Sequence, residues 1–361
     1  MIDFRPATDA DADAWQAHLA ATESGDFLHD WGWAQVAAFD GQPQRRYLLE
    51  EDGVVVGIAA AQARPLIRGR EFWYVPHGPV LDYNDPRAGE RLRAMRIGLR
   101  NAAARHGAIA VKLEPRLAAD DPALSAFQAG GLRRQPETLQ VGHTRIVELA
   151  DDESLLAGFD KDTRYGVRRA EREGVEVSAV EDAGDERAID ELHWLVEETQ
   201  RRASFPMPPL QRYRIAWRAL AGAGRAAILE ARREDELLAA GMVVIEGDRS
   251  FYLFSGSRRE ERGEPKRYAS YALQWAMMRL ARDRGVRWHD LWGIAPPAAG
   301  EDHPWHGVGL FKKGFGGRQV AWAGSWDVVV DPTVYRLRAA TGIARGWLRG
   351  LQRDLQLGMR R

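Results

Sequence analysis

The feature that most constrains this chain is an order of elements written in it twice. In the first half, Ile2 to Arg5 reads as a short strand, and Ala10 to Ala20 as a helix with Thr8 or Asp9 as N-cap and acids in its first turn. Arg46 to Glu50 and Val54 to Ala59 are apolar-rich runs joined by the turn Glu51-Asp52-Gly53, and Glu71 to Val75 adds a third strand. The spacing then predicts a long helix over Pro86 to His106, with Leu92, Met95, Ile97 and Leu99 among arginines and Gly107 as its stop. Ala108 to Leu113 follows as a buried strand. The second half repeats this order. Val175 to Val180 is a strand, and Glu186 to Arg201 is a helix with Ile189, Leu192, Leu195 and Val196 on one face. Ala227 to Ala231 and Ala240 to Ile245 flank an Arg-Glu-Asp-Glu turn, and Ser250 to Phe254 is the third strand. Tyr268 to Arg284 is the long helix, stopped by Gly285, and Val286 to Trp292 is the strand after it. Such a repeat implies duplication of one α/β unit, and 361 residues suffice for two domains with a core each. The break is expected near Leu149 to Glu153, giving a first domain of 1–149 plus 326–361 and a second of 150–325, with a cleft between them.

The segment from Tyr335 to Arg361 belongs to neither copy. Ala340, Ile343, Ala344, Trp347, Leu348, Leu351 and Leu355 fall at helical spacing, with seven arginines against one Asp. A docked amphipathic helix returning to the first domain is the simpler reading, and peripheral membrane or RNA contact is the other. Gly342, Gly346 and Gly350 would let it approach another element closely.

Composition narrows the chemistry. The 51 Lys plus Arg against 52 Asp plus Glu exclude a generally polybasic protein, so any nucleic-acid contact must come from local patches such as Arg164 to Arg172. With no cysteine, thiolate metal sites, disulfides and Cys nucleophiles are excluded. The opening MIDFRPATDADADAW lacks the pattern of a secretion signal, and Gly53 to Ala63 and Leu237 to Ile245 are shorter than the roughly 20 residues a bilayer needs. A cytoplasmic location and a monomer are expected. His303-Pro-Trp-His306 lacks helical ligand spacing, so no metal is expected. Neither G-x-x-x-x-G-K-[ST] nor a strand-borne G-x-G-x-x-G occurs, and no nucleotide cofactor is expected.

Three clusters carry chemistry. Only Lys112, Lys161, Lys266, Lys312 and Lys313 are lysines, and two of these sit in Gly309-Leu310-Phe311-Lys312-Lys313-Gly314-Phe315-Gly316-Gly317. This reads as a tight turn presenting an ammonium beside a ligand, or as a solvated basic turn. In Lys161-Asp-Thr163-Arg164-Tyr165-Gly-Val-Arg168-Arg169-Ala-Glu-Arg172, the arginines at 164, 168 and 172 share a helical face that could hold phosphate, or could simply be solvated. Val111-Lys112-Leu113-Glu114-Pro115 puts a carboxylate at a strand end, where sites gather in α/β sheets.

The repeated unit resembles the acetyltransferase fold of the GCN5-related superfamily, to which the opening Ile-Asp-Phe-Arg-Pro-Ala-Thr is similar. Its pyrophosphate loop is broken here. Arg262-Gly263-Glu264-Pro265-Lys266-Arg267 and Asn84-Asp85-Pro86 stand in its place, which disfavours an acyl-CoA donor. Five motifs in order, Phe27-Leu28-His-Asp-Trp31-Gly-Trp33, Gly78-Pro79-Val80-Leu81-Asp82-Tyr83, Lys161 to Val175, Trp288-His-Asp290-Leu-Trp-Gly293-Ile294 and Phe311 to Gly317, resemble the Fem family (FemABX) from about Phe27 to Tyr335. These are aminoacyl-tRNA-dependent peptidyltransferases of peptidoglycan synthesis and cell wall biogenesis.

The resemblance implies an α/β fold of two tandem acetyltransferase-like domains with mixed sheets and a C-terminal helix. It implies transfer of an amino acid from aminoacyl-tRNA to an amine of UDP-MurNAc-pentapeptide or lipid II. By the same analogy Lys312 is the oxyanion or transition-state cation, and Glu114 orients or deprotonates the amine. Arg164 and Arg168, with Thr163 of the same motif, hold a diphosphate; Tyr252 or Phe254 lines the sugar-peptide channel, and Phe311 flanks Lys312. Departures are that Gln35-Val36-Ala37 lacks a phosphate-binding lysine of some members, Glu114 replaces an Asp, and no coiled-coil arm is present. The alternatives are a tRNA-dependent amide ligase for a non-wall peptide, a CoA-dependent N-acyltransferase, and a non-catalytic precursor-binding protein.

Overall fold

The computed structural model describes residues 2–66, 69–129, 132–135, 138–203, 207–258 and 267–340. The chain divides into two compact units, one of Met1–Gly142 with the described residues from Ala321 on, the other of His143–Val320.

In the first unit, β1 (Ile2–Pro6), β2 (Gln44–Glu51), β3 (Val54–Pro65) and β4 (Glu71–His77) are consecutive antiparallel neighbours. The helices α1 (Ala12–Ala21) and α2 (Trp33–Phe39) lie in sequence between β1 and β2, and the short β5 (Val80–Leu81) pairs with β3. The turn Asp52-Gly53 closes β2 on β3 with both residues at positive φ, the conformation a tight hairpin of this hand requires. From β4 the chain passes through the 18-residue α3 (Ala88–Arg105) to β6 (Ala108–Pro115), which pairs parallel to β4; parallel neighbours need such a crossover. Leu92, Met95, Leu99, Ala102 and Ala103 of α3 are buried against the sheet. Ile97 is 44% exposed, because the buried face advances by threes and fours from Leu92 and skips it. The expected start of the first helix is a 3-10 turn, Asp9–Asp11, leading into α1, with the Asp11 carboxylate accepting the Thr8 backbone N–H at 2.7 Å. After α4 (Leu124–Ala129) and β7 (Arg133–Gln135), the sheet is completed from much later in the chain.

The second unit begins with β8 (His143–Glu148), α5 (Asp152–Gly158) and α6 (Lys161–Arg172). Its meander is β9 (Glu176–Val180), β10 (Ala226–Arg233), β11 (Glu236–Glu246) and β12 (Arg249–Ser257), with α7 (Glu186–Ala203) and α8 (Leu210–Ala221) between β9 and β10. The long α9 (Ala269–Asp283) crosses to β13 (Trp288–Gly293), parallel to β12. After α10 (His306–Gly314) and β14 (Arg318–Ala321), β15 (Ser325–Val329) joins the first sheet between β6 and β7, and α11 (Pro332–Ala340) packs on β6. The sheet orders β1-β2-β3-β4-β6-β15-β7 and β9-β10-β11-β12-β13-β8-β14 are two copies of one plan.

Both sheets are mixed, as expected of two acetyltransferase-like units. The division falls before β8 rather than after it, because His143–Glu148 is hydrogen-bonded to β13 of the second sheet. α11 reaches only the first residues, 335–340, of the expected C-terminal helix; the rest of that segment, and the Arg262 to Lys266 stretch, lie outside the described residues. No described helix is long and apolar enough to cross a membrane.

The copies differ at their parallel pairs. In the first unit β4 and β6 stay paired from Glu71 to His77. In the second, β12 and β13 pair only over Arg249–Phe251, opposite Trp288–Asp290, and then part. Beyond that point the two strands leave an opening in the sheet, and the scarce lysine reaches it.

Candidate functional site

Lys312 sits on α10, a regular helix rather than the expected tight turn. Of the two readings of the segment, the solvated one fits Lys313 but not Lys312, which is only 7% exposed. Its Nζ donates to the backbone carbonyl of Gly293, at the end of β13, at 2.8 Å, and lies 5.9 Å from the ring centroid of Tyr252 on β12. Lys312 is therefore placed where β12 and β13 have parted. Burial pushes its pKa down to about 8, and the Asp290 carboxylate offsets part of that fall. Among the described residues the ammonium has no carboxylate in salt-bridge contact, and one of its three N–H donors is used, on the Gly293 carbonyl. A fixed, desolvated cation with donors to spare is suited to charge that develops on a neighbouring oxygen.

The helix is seated by Gly314. The Gly314 carbonyl accepts the Asp160 backbone N–H at 2.9 Å, and a Cβ at Gly314 would collide with the Thr163 hydroxyl. Asp160 in turn caps α6, its Oδ1 accepting the Thr163 backbone N–H at 2.7 Å. Thr163, a candidate ligand residue, is buried and spent on this joint. Arg164 is likewise committed, its guanidinium donating to the Phe159 carbonyl just past the C-terminus of α5. Arg168 is exposed and forms no ion pair with a described residue, so of the expected arginine pair it alone offers a free guanidinium. Tyr165, Arg168 and Arg172 share the outward face of α6, opposite buried Gly166, Val167 and Ala170.

The aromatic candidates separate. A bulge in β12 sets Tyr252 opposite Val243 but Phe254 opposite Met242, which places the two rings on opposite faces of the sheet. Tyr252 packs toward α9 with Leu273 and Met277, on the side of Lys312, while Phe254 stacks on Tyr213 of α8 at 4.2 Å. Of the two rings that the resemblance offers for a sugar-peptide channel, Tyr252 alone lies on the side of Lys312. Phe311 is built into an aromatic core, 5.2 Å from Tyr271 and 5.1 Å from Phe315.

Glu114 belongs to the first unit and is 2% exposed at the end of β6. Its Oε2 accepts the Tyr74 hydroxyl at 2.8 Å and the Leu139 N–H at 2.9 Å, and its Oε1 accepts the Gln140 N–H at 3.0 Å. Burial and the adjacent carboxylate push the Tyr74 phenol well above its ordinary range, so it remains a donor. A carboxylate holding three donors is committed to fixing the 138–140 loop. Glu114→Gln is therefore expected to cost about 1–3 kcal/mol of stability in urea unfolding, since its amide nitrogen cannot accept what the lost oxygen accepted.

Sequence reasoning gave no role to Asp290, which acts on Lys312, or to Thr144, whose hydroxyl Asp290 accepts, nor to the buried pair Asp26 and His77, joined at 2.7 Å in the first unit. Asp290 stood inside a quoted motif, but nothing local marked it as a neighbour of Lys312.

The FemAB family model matches residues 223–341. An alanyltransferase of Weissella viridescens, named UDP-N-acetylmuramoylpentapeptide-lysine N(6)-alanyltransferase, is 23% identical over 89% of this chain and 94% of its own. A lipid II:glycine glycyltransferase of Staphylococcus saprophyticus is 25% identical over 90% of this chain and 93% of its own. Among solved structures, FemX superposes with a TM-score of 0.83 at 20% identity, covering 93% of this chain and 99% of that one. A tandem GNAT protein from the clavulanic acid biosynthesis pathway gives 0.51 at 15% identity, covering 92% and 99%. The two superpositions show a shared fold.

Proposed function

The chain belongs to the FemAB family and is an aminoacyltransferase, and from that premise we propose that it moves one amino acid from aminoacyl-tRNA to a peptide amine of a peptidoglycan precursor. The acceptor is UDP-MurNAc-pentapeptide or lipid II, the two precursor types in its relatives' names. The observation that carries the reading is the buried Lys312 ammonium at the opening between β12 and β13.

An amino acid esterified to tRNA is already activated, so the reaction needs no nucleotide loop, in keeping with the motifs absent from the sequence. The acceptor amine attacks the ester carbonyl, its nitrogen forming the new amide bond while the ester oxygen leaves with the tRNA ribose. Between these events the carbonyl oxygen carries a negative charge. Lys312 is the donor for that oxyanion, with Tyr252 walling the opening beside it. Arg168, free on α6, is the residue left to contact phosphate.

This chemistry sets a pH dependence with opposing limbs. The amine must be deprotonated to attack, so kcat rises with pH at first; Lys312 must be protonated, so kcat falls again as pH climbs through about 8. A rate that keeps climbing to pH 10 in stopped initial-rate assays would remove the lysine limb. The reaction itself is tested by mass spectrometry of UDP-linked and lipid-linked precursor after incubation with a charged tRNA pool. The expected product is a stem peptide heavier by one aminoacyl residue. An unmodified stem peptide on both precursors would overturn the assignment.

A further inference from the structure

Asp290 has no part in the chemistry above, yet it is 2% exposed beside Lys312. The strand that carries it does not run straight. The pairing of β13 with β8 shifts register between Asp290 and Gly293, and Trp292 lies at φ 62°, in the left-handed region that a bulky side chain rarely adopts. Such a conformation persists only where the surroundings hold it. Here the holder is the Asp290 carboxylate, whose Oδ1 accepts the Trp292 backbone N–H at 2.8 Å and also the Thr144 hydroxyl from β8. The turn fixed in this way brings the next carbonyl, that of Gly293, onto the Lys312 Nζ at 2.8 Å, while Gly293 itself comes back into register opposite Thr144.

We infer that Asp290, anchored on β8 by Thr144, is a positioning residue for the Lys312 ammonium, acting through the left-handed turn at Trp292 and the Gly293 carbonyl. Its consequence for catalysis rests on the reading of Lys312 given above; the coupling between the two residues does not. The carboxylate thus does two things for one cation. It sets the position of the carbonyl that grips the Nζ, and it adds a negative charge near an ammonium whose charged form burial disfavours.

The chain's small number of lysines makes the coupling measurable without any substrate. Trace acetylation with acetic anhydride, read by peptide mass spectrometry, compares Lys312 with Lys112, the buried lysine paired to Asp327 at 2.7 Å in the first unit. Asp290→Ala is expected to raise Lys312 labelling relative to Lys112 by roughly tenfold, the weight of one hydrogen bond to a charged group. It should lower kcat by a similar factor with little change in KM. Asp290→Asn keeps an acceptor oxygen for Trp292 and Thr144 but not the charge, so it should recover the part of both effects that the hydrogen bonds carry, and Thr144→Val should move Lys312 labelling in the same direction by less. Equal labelling of Lys312 in wild type and Asp290→Ala overturns the inference, as does a rise that Lys112 shares, which marks general loosening of the fold. Selective exposure of Lys312 with an undiminished kcat supports the coupling and overturns the catalytic reading of Lys312 instead.

Discussion

Replacing Lys312 by alanine is expected to lower kcat by roughly 100- to 1,000-fold, the loss that follows removal of one preorganised oxyanion donor, while the precursor KM changes little. The size follows from the site. The ammonium is already desolvated, 7% exposed, and already held by the Gly293 carbonyl, so little reorganisation is needed when charge develops on the carbonyl oxygen of the donor ester proposed above. An interaction made mainly in the transition state shows in kcat and leaves ground-state binding alone. Lys312→Arg should not restore the rate, because a planar guanidinium cannot occupy the space of a compact ammonium between Tyr252 and the end of β13. Initial rates at saturating donor and acceptor decide the matter. A fall of less than threefold in Lys312→Ala would take the cation out of the mechanism.

The second large effect is on folding. Gly317→Ala is expected to destabilise the protein by about 2–5 kcal/mol, because two costs fall on one residue: a left-handed backbone, about 1–2 kcal/mol, and an overpacked contact, about 1–3 kcal/mol. Gly317 lies at φ 68°, and a Cβ there would drive into the Ile146 carbonyl oxygen and the Val147 side chain. Since the obstacle is backbone of β8, it cannot swing aside as the end of a side chain would. For a unit of this size the melting temperature should fall by about 5–15 °C. Gly317→Asn separates the two costs. Asparagine tolerates the left-handed region better than alanine, so equal losses in the two variants would show that the collision dominates. An alanine variant that melts within a degree of wild type would contradict the account of the motif as a set of close contacts.

That motif shows what the sequence could and could not convey. Lys-Gly-Phe-Gly-Gly marked itself by scarce lysines and clustered glycines, and the glycines prove to be contact points: Gly314 against the α6 cap, Gly317 against β8. Its helical form was not legible, because glycines at 307, 309 and 314 argue locally for a turn while the packing of Phe311 and Phe315 on Tyr271 holds a helix. The duplicated plan was readable for a different reason. Long helices ending at Gly107 and Gly285 must bridge parallel strands in both halves, and apolar periodicity records that directly.

The outer strands of each sheet were harder. The second sheet takes β8 from before its meander and the first takes β15 from the far end of the chain; nothing in His143–Glu148 says which sheet it joins, because pairing partners are a long-range property. Alternation also failed at the β12 bulge, where one extra residue turns Phe254 away from the face that Tyr252 keeps. Asp290 was invisible for a related reason. Its role depends on a tryptophan in a conformation that sequence rules assign to glycine.

Transfer from an aminoacyl ester of tRNA, the reaction proposed for this chain, is addressed most directly by one assay. A tRNA pool charged with labelled amino acids is supplied with UDP-linked or lipid-linked precursor, alongside ribonuclease-treated tRNA and labelled acetyl-CoA as parallel donors. Label on the muramyl peptide from intact charged tRNA, lost after ribonuclease and absent with acetyl-CoA, is the predicted result. Acetyl transfer, with no amino acid passing from tRNA to either precursor, would contradict it.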